Sequence, residues 1–241
     1  MKPIRDLLPQ IIIGLAIIIA AWILGCYWKR THVQNETIRV TGLSKKDFVS
    51  DLIVWRGNFS KKAMTIQEAY APLKKDAALT KEYLLKKGVN ESEIVFSSVN
   101  INKEFRYEGN NRSVFDGYTL SQSIQIESKE VEKIEKISRE ITELIDLGVE
   151  FYSQYPEYYS TKLADIKIEM LAQASADARQ RAEKISASAG SKLGGLRSAT
   201  MGIFQITGQN SSEEFSWGGA FNTTSKNKTA SITVKLEFAV K

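Results

Sequence analysis

The chain has 241 residues, 43% hydrophobic and 25% charged, which suits one large domain or two small ones and excludes both general disorder and a polytopic membrane protein. One cysteine cannot form an intramolecular disulfide and one histidine cannot build a His-rich zinc site, so no metal and no cofactor is expected. The net charge of +5 raises nucleic acid as a partner, a point that its distribution decides below.

Residues 7–28 carry no charge, and the run includes Ile11, Ile12, Ile13, Leu15, Ile17, Ile18, Ile19, Trp22, Ile23 and Leu24. A membrane span needs roughly 20 mostly apolar residues. A transmembrane signal-anchor helix is therefore expected over 7–28, behind a short tail (1–6) and ahead of a linker (29–36), with the rest of the chain exported from a bacterial cell membrane. Two other readings compete. Cys26 follows Ile23-Leu24-Gly25, similar to a lipobox, and is the candidate lipidation site. A cleaved secretory signal would need a small-x-small site, and none closes the run. Lys2 and Arg5 on one side match Lys29 and Arg30 on the other, so the positive-inside count is a tie.

Beyond the linker the pattern alternates between periods of 2 and 3.6. Strands are expected at 37–42 and 51–59, where Leu52, Val54 and Gly57 mark one side and Ile53 and Trp55 the other. A helix follows over 63–87, with Ile66, Tyr70, Leu73, Ala77, Thr80 and Leu84 as its stripe, a kink at Pro72 and a stop at Gly88. Strands at 94–107 and 118–127 should form a hairpin around the turn 108–112. A second helix is expected over 129–147, then a Tyr-rich strand over 149–155. The long helix 163–189 should bury Leu163, Ile166, Met170, Ala174, Ala178, Ala182, Ile185 and Ala189, and at 1.5 Å per residue it should reach about 40 Å. A strand at 196–207, a loop at 208–228 and a closing strand at 229–240 complete the chain. The order β-β-α-β-β-α-β-α-β-β predicts an α+β domain over 37–241, with helices packed on one face of a mainly antiparallel sheet.

Several of these pieces in order resemble the SIMPL domain family of bacterial envelope proteins. They are Ile38-Arg39-Val40-Thr41-Gly42, the helix running into Gly88-Val89, Gly117-Tyr118-Thr119-Leu120-Ser121-Gln122, Leu147-Gly148-Val149, and above all Ala174–Gly195, with its Ala-x-x-x-Ala-Arg-x-x-Ala-Glu helix and Leu-Gly-Gly turn. The resemblance implies an exported α+β domain, periplasmic or extracellular, that forms homo-oligomers and takes part in envelope stress response. It implies no catalytic residues and no cofactor.

The residues agree with that reading. There is no P-loop and no GxGxxG; Cys26 and His32 lie outside the domain, where neither can serve as a nucleophile or base within it. An enzyme is not expected; a small-ligand binding module stays an alternative, on the Tyr-rich strand or the 208–228 loop. Phe215, Trp217 and Phe221 make that loop a candidate interface. Lysine doublets stand beside acids, and residues 1–35 hold +3 of the net charge, leaving +2 for the domain. Nucleic acid is not an expected partner.

Overall fold

The computed structural model describes residues 8–31, 36–109, 112–214 and 216–241. Strands β1 (Thr37–Val49) and β2 (Leu52–Ala63) precede helix α2 (Ile66–Lys86), itself preceded by α1 (Leu8–Thr31). Then come β3 (Ile94–Phe96), β4 (Asn100–Glu108), β5 (Arg112–Ser128), α3 (Val131–Glu140), α4 (Glu143–Asp146), β6 (Phe151–Ser153) and β7 (Glu157–Tyr159). Helix α5 (Leu163–Ser188), β8 (Leu193–Met201), β9 (Gln205–Gly208) and β10 (Asn227–Val240) close the chain. The α+β expectation holds, with antiparallel pairing, but as two sheets instead of one. The first has the order β1-β10-β8, with β9 also on β10; the second has the order β3-β5-β2-β6, with β4 also on β5 and β7 also on β2.

The membrane-spanning helix expected over 7–28 is not upheld. Among the described residues, no helix is long and apolar enough to cross a membrane. Helix α1 runs from Leu8 to Thr31, and its side chains are described from Ile13 to Tyr27. Within that stretch Ile13, Leu15, Ile17, Ile18, Ile19, Trp22, Ile23 and Leu24 are exposed, and Cys26 is an exposed free thiol. Ile11 and Ile12 lie on the helix, with side chains outside the described residues.

The chain divides into two compact units. One holds the described residues up to Gly42, together with Ser175–Met201 and Val234–Lys241. Here β10 pairs with β8 from Val234↔Met201 to Val240↔Leu193, and Val234, Leu236 and Phe238 are buried on one side of it. Ala178, Ala182 and Ser186 are the buried stripe of this part of α5. Strict four-residue steps carry the stripe to Ser186, so the expected Ile185 lies off it and is exposed.

The other unit holds Leu43–Ala174 and Gly202–Thr233. Its long central pair runs from Ile53↔Ser128 to Ala63↔Tyr118. Ile53, Trp55, Ile124 and Ile126 from the sheet pack with Tyr83 and Leu84 of α2, Ile134 and Ile137 of α3 and Leu144 of α4. Gly57 shares the face of Ile53 and Trp55, as the period of 2 requires, and not that of Leu52 and Val54. Helix α2 starts on a capping box: Glu68 N–H donates to Thr65 Oγ1 (3.3 Å) and Thr65 N–H donates to Glu68 Oε2 (3.2 Å). It runs through Pro72 and ends at Gly88, whose φ of +84° is the left-handed stop expected there. Its buried face, Ala69, Leu73, Asp76, Thr80 and Leu84, leaves Ile66 and Tyr70 exposed.

Three expected elements are interrupted. The strand at 94–107 becomes β3 and β4 and that at 196–207 becomes β8 and β9, while that at 149–155 shortens to β6, with β7 beyond Pro156. The helix expected over 129–147 breaks into α3 and α4. The hairpin is upheld as β4–β5, closing at Glu108↔Arg112.

Candidate functional site

The Tyr-rich segment and the 208–228 loop are separate features of the sequence, and the fold brings them together. Short strand β7 pairs with the start of β2, Leu52↔Tyr159 and Ile53↔Tyr158. Tyr158 N–H donates to Thr223 O (2.7 Å), which ties the loop to that strand. Phe221 then lies against Tyr159, ring centroids 6.4 Å apart.

The loop has few strand bonds of its own, and three side chains supply its framework. The Gln205 amide donates to Ser216 O (2.7 Å) and accepts from the backbone N–H groups of Ser216 and Ala220. Glu213 accepts from Gly208 N–H (2.9 Å) and from the Asn222 amide. Asn222 Oδ1 accepts from Ser225 N–H (2.9 Å). These bonds saturate backbone groups that an irregular loop would otherwise leave unpaired. The bond from Gly208, then that from Asn222, holds the Glu213 carboxyl below its usual range.

At the far end of this framework Trp217 is 95% exposed. Phe221 is half exposed, and Phe215 lies outside the described residues. Tyr155 and Tyr152 are also exposed, while Tyr158 is buried. Burial is the first cause that raises the phenols of both Tyr158 and Tyr159 above their usual range. The described part of this surface is thus aromatic and hydroxyl-bearing.

Two features here have no counterpart in the sequence reading. Lys228 is 2% exposed, and its ammonium donates to Asn222 O and to Asn222 Oδ1 (3.3 Å). Burial pushes it down to about 8, against the opposing field of Glu213. The available signal was the strand alternation, since one step back from Ala230, Ile232 and Val234 places Lys228 on the buried face. The second feature is the β4–β5 arm, where Phe105, Tyr107 and Phe115 are exposed and the Phe105 and Phe115 rings meet edge-on at 6.0 Å. The alternation Phe105, Tyr107 beside the turn was the available signal.

Other charged clusters are ties between elements. Lys87 joins Glu140 and Glu143 at 3.0 and 2.9 Å, Lys226 joins Glu135 at 3.0 Å, and buried Asp76 meets Lys61 at 2.9 Å. Among the described residues no group of His, Cys, Asp or Glu is placed to hold a metal ion.

An α+β protein with a side-chain-braced aromatic loop is the class that fold and site define. The SIMPL family, described as proteins of unknown function (DUF541), matches residues 38–238, and the chain belongs to it. No curated protein matches the chain.

Proposed function

We propose that the protein is a non-enzymatic cell-envelope domain that works by protein–protein contact, with a second copy of itself as the first partner. The observation that carries this reading is Trp217, 95% exposed on a loop fixed by Gln205, Glu213 and Asn222. An indole held outward by a rigid frame loses little entropy on binding, and aromatic anchors of this kind dominate interface energies. Strand β8 adds support: among the described residues it pairs with β10 alone, and Leu196 and Met201 on it are exposed. An exported, envelope location follows from the resemblance to a family of mostly exported bacterial proteins.

Light scattering on the full chain across a concentration series tests self-association. The expected result is an oligomer that Trp217→Ala weakens about 30-fold, the equivalent of about 2 kcal/mol at a hot spot. A wild-type mass of one chain up to about 100 μM, an affinity of only about 5 kcal/mol, would overturn it.

A further inference from the structure

Strand β4 carries an interaction surface separate from the Trp217 loop. Among the described residues it pairs with β5 alone, and β2 leaves β5 at Tyr118, so beyond that point β4 and β5 continue as a two-stranded ribbon. Such a hairpin is marginal in water by itself. One face of the ribbon is aromatic: Phe105 and Tyr107 of β4 and Phe115 of β5 are exposed on it, with Phe105 directly opposite Phe115. The register shift falls where Asp116 and Gly117 oppose Glu104, so the extra residue lies on β5 and the outer edge of β4 stays regular. An open edge invites pairing, and charged side chains ordinarily guard it. On β4 the charges are spaced to admit one partner.

We propose that β4 pairs antiparallel with β4 of a second copy about a two-fold axis at Phe105, joining the two ribbons into a four-stranded sheet. A two-fold normal to the sheet requires one residue to face its own copy, because side chains alternate along a strand. About Phe105 the run Lys103-Glu104-Phe105-Arg106-Tyr107 is complementary to itself. Glu104 faces Arg106 of the second copy and Arg106 faces its Glu104, on the side where Arg106 already acts on Asp116. Lys103 faces the Tyr107 ring as a cation–π pair, and the two Phe105 rings meet on the aromatic face. The strand stays in register from Asn102 to Glu108. Other axes fail. Those at Lys103, Glu104 and Arg106 set like charges face to face, that at Asn102 joins no opposite charges, and those nearer either end leave little of β4 paired.

Cross-linking of the full chain tests the register, in a Cys26→Ser, Trp217→Ala background that removes the loop contact. Phe105→Cys should oxidise to a disulfide-linked dimer, since facing residues of an antiparallel pair have Cα atoms about 4.5–5.5 Å apart, within disulfide reach. Lys103→Cys, about 14 Å from its own copy, should stay a monomer under the same conditions. In the same background without a new cysteine, Glu104→Arg and Arg106→Glu should each weaken dimerisation about 30-fold by light scattering. An equimolar mixture of the two should recover it, because each Arg then faces a Glu, and recovery also shows both variants to be folded. A Phe105→Cys chain that cross-links no faster than Lys103→Cys would overturn the proposal, as would a mixture that associates no better than its components. Neither result depends on whether Trp217 makes a contact of its own.

Discussion

Gly57 sits in the central pair of the second sheet with no room for a side chain. A Cβ built there would stand 2.1 Å from Cζ and 2.3 Å from Cε1 of Phe151. The ring cannot yield freely, because it lies 5.9 Å from the Trp55 ring and 6.4 Å from that of Phe59, both fully buried. Overpacking of a filled core costs about 1–3 kcal/mol. Disturbing two aromatic contacts adds about 1 kcal/mol. Gly57→Ala should therefore destabilise the protein by about 2–4 kcal/mol, read as a lowered urea midpoint by circular dichroism. Phe151→Leu removes the obstructing ring edge, so the double variant should lose less than the sum, with a coupling of about 1–2 kcal/mol. A Gly57→Ala change within about 0.5 kcal/mol of wild type would refute the close packing, and strict additivity would refute its assignment to Phe151.

Lys228 gives a pH dependence of known sign. Its folded value of about 8 lies below the ordinary 10.5, so the folded state disfavours the charged form. Stability from this group is full above pH 10.5, falls as the pH drops toward 8, and is constant below, a span on the order of 3 kcal/mol. Urea midpoints at pH 8 and 9.5 should rise for wild type and stay level for Lys228→Met. Glu135 has the same sign with pH although its charged form is the one favoured: hydrogen bonding to Lys226 holds its carboxyl low, so its contribution is present above the ordinary carboxylate range and lost on acidification. Glu135→Gln should flatten the loss of stability between about pH 5 and 3. Gly117→Ala should cost about 2–3 kcal/mol in thermal unfolding, since a φ of +101° strains an alanine and Ala63 O stands 2.5 Å from the new Cβ. Trp217→Ala should leave the unfolding midpoint within about 0.5 kcal/mol of wild type while weakening self-association.

Periodicity made the scaffold legible. The alternation from Tyr118 to Ile126 and from Ala230 to Phe238 marked real strands, and Gly88 marked a real helix end. Breaks were harder to read, because residues 97–99 and 202–204 keep strand-like composition while leaving the ladder. The face of α2 was misjudged because a carboxylate at Asp76 reads as wet. Lys61 on β2 gives it a partner that only the tertiary fold supplies. The apolar run at the N-terminus was plain, yet apolarity alone did not deliver a spanning helix among the described residues. For the site, Trp217 and Phe221 were visible as aromatics in a Gly- and Ser-rich loop. Their bracing was not, because Gln205, Glu213 and Asn222 act across distances that sequence does not rank.

The Gln205 amide imitates a missing strand: it offers a donor and an acceptor where a neighbouring backbone would. The shape of the loop thus depends on a few anchors, which also include Gln209, bonded to Asp47 and to Asn227 O, and Asn210 and Gly219, both at positive φ. Ser212 and Trp217 stand outside this framework and are open to exchange at constant backbone. A library built there, with Gln205, Glu213, Ser216 and Asn222 retained, would turn this loop into a graft site for new recognition surfaces.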